Sequence, residues 1–118
     1  MKSDAIIQAQ IIFSLKKIRE RVEALSQIAR QYDINVLIAV KSSPFEQILN
    51  TVIGDIQGYD ISNSQEFSLT AGSGFYFITN CPLSDLKFVH QILNDQYLIS
   101  CNSPYYMQEI TKKNLPFA

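Results

Sequence analysis

The sequence predicts an α/β protein organised on a parallel sheet, and three observations lead there. Short β-branched runs alternate with helical segments about five times, the loops between them are short, and the run Val36-Leu37-Ile38-Ala39-Val40 is apolar throughout. A strand apolar at every position has both faces to bury, which is the pattern of a parallel sheet covered on each side. Strict βα alternation then implies right-handed crossovers between parallel strands.

Taken in order, Ala9 to Ser14 has the composition of a strand. From Leu15 the apolar residues Leu15, Ile18, Val22, Leu25, Ile28 and Tyr32 fall on one helical face, with Lys16–Glu20 and Arg19–Glu23 spaced to support the other. Asn35 to Val40 is the second strand. Ser43-Pro44-Phe45-Glu46 reads as a helix start, with Ser43 as N-cap, Pro44 in the first turn and Glu46 closing a capping box. Ile48, Leu49, Val52, Ile53 and Ile56 form that helix's buried face, and Gly58 lies just past its end. Tyr59 to Ile61 is a strand, Ser62 or Asn63 caps a helix to about Ala71, and Gly72 and Gly74 end it. Phe75 to Thr79 is a strand, Leu83 to about Leu93 a helix and Tyr97 to Ser100 a strand. Ser103-Pro104 opens a last helix through about Lys113.

Two architectures satisfy this pattern. One is an open doubly wound sheet, and the other is part of an eight-fold barrel. The chain has 118 residues, whereas a full barrel takes roughly 200 or more. Periodicity and length therefore favour a five-stranded, flavodoxin-like sheet in a single domain.

Composition removes several function classes. The chain carries 10 Lys and Arg against 11 Asp and Glu, a formal charge of −1, without the basic stripe of a nucleic-acid binder. No run approaches the ~18 apolar residues of a membrane span, and the N-terminus lacks the h-region of a signal peptide. Cys81 and Cys101 are too far apart for a CxxC motif, and His90 alone cannot complete a metal site with them. Two reduced thiols and a cytoplasmic location are the expectation.

Functional residues of parallel α/β folds collect at the C-terminal ends of strands. Here those positions hold Ser14, Lys41 with Ser42 and Ser43, Asp60 or Ser62, Asn80, and Cys101 with Asn102. Lys41 stands apart as the only cation between Arg30 and Lys87, directly after five apolar residues. A lysine at such a position is partly desolvated, which disfavours its ammonium form and frees the amine for Schiff-base chemistry. It can equally extend its head into solvent. Asp60 and Glu66 are the acid candidates, and Glu66 can also complete a capping box with Asn63. His90 lies inside a helical segment and reads as a surface or packing residue.

Three ordered stretches resemble the N-terminal half of the fold type III pyridoxal-phosphate enzymes, nearest the diaminopimelate, ornithine, arginine and carboxynorspermidine decarboxylases. Gln10 through Val22 is similar to that family's opening strand and helix. Ile38-Ala39-Val40-Lys41-Ser42-Ser43 resembles its A-V-K-A-N motif, and Gly58-Tyr59-Asp60-Ile61-Ser62-Asn63-Ser64-Gln65-Glu66-Phe67 resembles G-F-D-V-A-S-x-x-E. Ile78-Thr79-Asn80-Cys81-Pro82 and Ile99 to Ser103 add weaker likeness. Alanine racemases, which follow the lysine with Y-G-H-G, and the small pyridoxal-phosphate homeostasis proteins, which lack the G-F-D motif, are less similar.

The resemblance implies a partial (β/α)8 barrel of about five βα units. It implies pyridoxal 5'-phosphate held as a Schiff base on Lys41, with Asp60, Glu66 and Asn80 around the cofactor, and an amino acid as substrate. It also implies what is lacking here: a stacking histidine, a glycine-rich phosphate loop, the acid for the ring nitrogen, and the β-domain that completes the site across a dimer. Residues 1–118 are thus expected to form one domain, the N-terminal portion of a barrel, with Asn114 to Ala118 a truncation point. Alone it would be inactive or incomplete, calling for a homo-oligomer or a complementary chain. A non-catalytic α/β interaction module, or a binding protein of the homeostasis type, is the alternative.

Overall fold

A computed structural model describes residues 12–70 and 74–117. Within them, four parallel strands form one sheet: β1 (Leu37–Ala39), β2 (Gly58–Ile61), β3 (Phe75–Ile78) and β4 (Tyr97–Ile99), in the order β1-β2-β3-β4. Helices α1 (Leu15–Gln31), α2 (Glu46–Val52), α3 (Ser64–Ser68) and α4 (Pro104–Lys112) alternate with the strands, and a 3-10 helix (Leu83–Gln91) links β3 towards β4. The expected α/β class and parallel sheet are therefore present.

The flavodoxin-like order is not. It would place a first strand, here Ala9 to Ser14, between the next two, yet β1 and β2 pair directly through Leu37–Gly58, Ile38–Tyr59 and Ala39–Asp60. Most of that expected first strand lies outside the described residues. Residues 12–14 are not strand, and Ser14 caps α1 by accepting from the Lys17 N–H at 3.3 Å.

Register lines up matching residues across the sheet. Tyr59, Tyr76 and Tyr97 form one row, and Ile61, Ile78 and Ile99 the next. All six are buried. They face the helices, where Leu49 of α2 and Ile110 of α4 join the same core. Phe67 of α3 packs its ring 5.2 Å from both Tyr76 and Phe88. Each fully buried side chain of this size contributes roughly 1.5–3 kcal/mol.

The opposite face is different. Its rows, Leu37 and Phe75, then Ala39, Asp60, Phe77 and Leu98, are only half-buried. The expectation that β1 is covered on both sides is thus corrected: among the described residues, helices cover one face and leave the other open. At the edges, β1 has no outer neighbour among the described residues, and Phe117 makes an isolated parallel bridge to Ile99 of β4.

Several local expectations change for identifiable reasons. Helix α1 buries Ser26 and Ala29, with Ile18 and Val22 half-buried, while Leu25, Ile28 and Tyr32 of the expected face stand exposed. Helix α1 packs against α2, and close helix packing favours small residues; the Ser26 hydroxyl accepts from Arg30 at 3.2 Å. Arg19 pairs with Glu23 at 3.0 Å, but Lys16 and Glu20 form no ion pair. Ser43 does not cap α2. Its N–H closes the turn onto the Val40 carbonyl and its own carbonyl accepts from Phe45, so α2 starts after Phe45.

The segment after Pro82 is 3-10 rather than α, in keeping with Leu83, Leu86 and Val89 recurring every third residue. Helix α3 is capped by Asn63, but it ends at Ser68 rather than near Ala71. Of the two glycines expected to end it, Gly72 lies outside the described residues and Gly74 precedes β3.

Gly58 is no helix cap either. It opens β2, and a Cβ there would lie 1.9 Å from the Phe75 carbonyl oxygen. Gly58→Ala is expected to cost about 3 kcal/mol or more, whereas Gly54→Ala, with nothing within 4 Å of its Cβ, should be neutral or gain a few tenths. Urea unfolding of the two variants checks this, and equal stabilities would refute the close-approach role.

Candidate functional site

The C-terminal ends of the strands form a polar rim above the half-buried sheet face. Lys41 lies in the 3-10 turn Val40–Ser42 that follows β1, with Val40 buried in the core and Lys41 exposed. Ser42 ties that turn down by donating to the Ala39 carbonyl at 2.8 Å. The desolvation expected of Lys41 is therefore not supplied by the described residues. The amine is accessible instead.

Asp60 sits on the adjacent strand, opposite Ala39 in register and so on the open face. Its carboxylate accepts from the Thr79 hydroxyl at 2.7 Å, and Thr79 in turn lies 3.5 Å from the Ser62 hydroxyl. The chain of hydroxyls fixes the acid at the rim. Sequence reasoning placed Thr79 at a strand end without seeing this contact; the signal was the two-residue step from Phe77, which keeps Thr79 on Asp60's face.

Glu66 is used locally. Its carboxylate accepts from the Ser62 N–H at 2.8 Å and from the Asn63 amide at 3.2 Å, while Asn63 accepts from the Glu66 N–H at 2.7 Å. This is a variant of the capping box that the spacing allowed, with the Ser62 N–H and the Asn63 side chain in place of the Asn63 backbone N–H, so Glu66 shapes the turn after β2 rather than standing free at the rim. Asp85 supports the same turn, accepting from the Ser64 N–H and hydroxyl at 2.9 and 2.8 Å. No sequence signal marked Asp85, because its partner lies 21 residues away.

Asn80 ends β3 with φ of 51°, and its amide oxygen accepts from Asn102 at 3.0 Å. Strands β1 and β3 are two spacings apart, about 10 Å, so Asn80 belongs to a neighbouring part of the rim rather than beside Lys41. Asn80, Asn102, Ser103 and Tyr106 border a cleft of about 360 Å³. The four expected site residues thus divide: Lys41 and Asp60 end adjacent strands, Glu66 is a cap, and Asn80 faces a separate cleft. His90 is exposed, as expected.

Both cysteines are free thiols, Cys81 buried and Cys101 half-buried. Among the described residues no cluster of His, Cys, Asp or Glu could hold a metal ion, and no helix is long and apolar enough to cross a membrane. Burial pushes the Cys81 thiol up to about 11, with Asp85 and then Glu66 adding to the effect. Burial also raises Tyr97 and Cys101, and takes Tyr106, whose hydroxyl donates to the Cys81 carbonyl at 2.8 Å, to about 12. An unfolded chain gives up these protons at lower pH than the folded one. The resulting stability is whole below the ordinary thiol value of 9.0 and is lost as pH rises through the folded value.

Denaturant midpoints should accordingly fall between about pH 9 and about pH 11, and Cys81→Ala should flatten that decline. A midpoint that holds steady or rises over the same window would count against the buried-thiol account. No family model, no curated protein and no solved structure matches the chain.

Proposed function

We propose that this chain is the N-terminal portion of a (β/α)8-type barrel that binds pyridoxal 5'-phosphate through Lys41, as part of an amino-acid decarboxylase that needs further polypeptide to be complete. The observation that carries the reading is the accessible amine of Lys41 at the end of β1, one strand from Asp60 on the open side of the sheet. The motif resemblance around both residues adds to it. So does the strand order, since parallel strands laid down sequentially, with their helices on one side, are the winding of a barrel wall. In a barrel the face that is half-buried here would be the interior.

The donor set fits the anchoring end of such a cofactor. An aldehyde requires a primary amine with open access, and Lys41 has it. Asp60, held by Thr79, presents a carboxylate at the adjacent strand end. When bound, the cofactor supplies an electron sink for charge developing at an amino acid's Cα. The chain's own contribution is to hold the cofactor at Lys41, to set the Asp60 carboxylate, and to shape the turn after β2 through Glu66. Asn80, two strands away, would act at the margin. Dry surroundings for Lys41 would come from whatever covers the open face.

A second reading has its own support. Leu25, Ile28, Tyr32 and Ile34 are each more than half exposed along and just beyond α1, an apolar stripe suited to an α/β interaction module in which Lys41 has no chemical role.

One experiment separates them. The chain is incubated with pyridoxal phosphate, reduced with borohydride and mapped by peptide mass spectrometry. The adduct is expected predominantly on Lys41 and absent in Lys41→Ala. Labelling spread evenly over Lys16, Lys17, Lys87, Lys112 and Lys113, and unchanged in Lys41→Ala, would remove the cofactor reading and leave the interaction module.

A further inference from the structure

We infer that the cleft between the ends of β3 and β4 and the start of α4 is a binding site for an uncharged, polyhydroxylated ring of monosaccharide size. This goes beyond the Lys41 reading and stands whether or not that reading holds.

The first ground is the backbone at Asn80. Among the described residues, three that are not glycine have positive φ: Asp33, Asn80 and Asn114. Asp33 and Asn114 follow the C-caps of α1 and α4, where a left-handed residue ends a helix as a matter of course. Asn80 follows a strand. Its left-handed turn instead carries the side chain across to Asn102, 22 residues away. A sparsely populated conformation held this way is the kind that collects at ligand sites.

The second ground is the chemistry of the lining. The cleft is about 360 Å³ and none of its lining residues is charged, although 21 of the chain's residues are Lys, Arg, Asp or Glu. Asn80 and Asn102 share one hydrogen bond, and the pair still has an amide donor on Asn80 and an amide acceptor on Asn102 to offer. A donor and an acceptor together match hydroxyls, each of which can do both. Ser100 and Tyr106 also line the cleft, the Tyr106 hydroxyl being committed to the Cys81 carbonyl. Tyr105, 66% exposed, adds an aromatic face at the rim against which the C–H side of a ring can lie.

The third ground weighs against an anion. The start of α4 borders the cleft, but its first four N–H groups are used or missing, save that of Tyr105. Pro104 has no N–H, the Tyr106 N–H goes to the Ser103 hydroxyl at 3.1 Å, and the Met107 N–H goes to the Ser103 carbonyl at 3.0 Å. No cation lines the cleft to replace them.

The test is a two-dimensional NMR titration of the intact chain with glucose, N-acetylglucosamine and myo-inositol, and separately with inorganic phosphate. Expected are saturable shifts with at least one of the three neutral compounds, confined to the Asn80 and Asn102 side-chain amides and the backbone from Ser103 to Tyr106. Tyr105→Ala and Asn102→Ala should each weaken binding by about tenfold or more. The unperturbed remainder of the spectrum verifies that each variant is folded. If Asn102→Ala is not, the exposed Tyr105 decides alone. Absence of saturable shifts with all three, shifts equal in Tyr105→Ala, or tighter binding of phosphate at the same amides would each overturn the proposal.

Discussion

Direct parallel pairing of consecutive strands is the constraint on which the rest of this molecule depends. Because β1, β2, β3 and β4 lie side by side in chain order, every right-handed crossover returns its helix to the same side of the sheet. Among the described residues one face is then closed and the other is left open. The closed face receives the tyrosine row and the isoleucine row, and those six buried side chains with their helical partners form the core. Close strand contact depends in turn on Gly58, since no side chain could stand where the Phe75 carbonyl lies. The open face receives what alternation assigns to it, which is Phe75, Phe77, Leu98 and the single acid Asp60.

The same pairing explains how the rim is assembled from distant sequence. Around the strand ends and in the segments that follow them polar groups appear and find one another laterally. Thr79 reaches Asp60 across 19 residues, Asn102 reaches Asn80 across 22, and Ser64 reaches Asp85 across 21. These separations are close to one strand–helix–strand repeat. The βα repeat is thus what converts a scatter of single polar residues into paired ones.

Much of this was legible in the sequence, and what was not shares a cause. Four of the five expected strands, the Asn63 cap and the Ser103-Pro104 start of α4 depend on local patterns, and these are found. Ser43 had the right spacing for a cap, yet the tight turn that ends β1 used its backbone first. The face of α1 was misjudged because an apolar count favours Leu25 and Ile28, while close approach to α2 selects Ser26 and Ala29. The positions of Lys41 and Asp60 near adjacent strand ends were legible because strand ends can be read from the apolar runs before them. The partners Thr79, Asp85 and Asn102 were not assigned roles, since register across the sheet is a tertiary property.

The open face bears directly on how Lys41 could act. A lysine in contact with water keeps its ammonium form hydrated, and an amine becomes a ready nucleophile at neutral pH when that hydration is removed or another cation is near. No cation flanks Lys41 in the stretch from Tyr32 to Leu86, and the described residues leave it exposed. A drier setting is therefore what a cover would add. The element able to provide it is whatever polypeptide closes over Phe77, Leu98 and Asp60, because the strand-end rim lies at the margin of that same face. Covering the apolar rows and drying the surroundings of the accessible Lys41 amine would then be one event. In the interaction-module reading a partner would dock on the apolar stripe of α1 instead, and Lys41 would gain nothing from it.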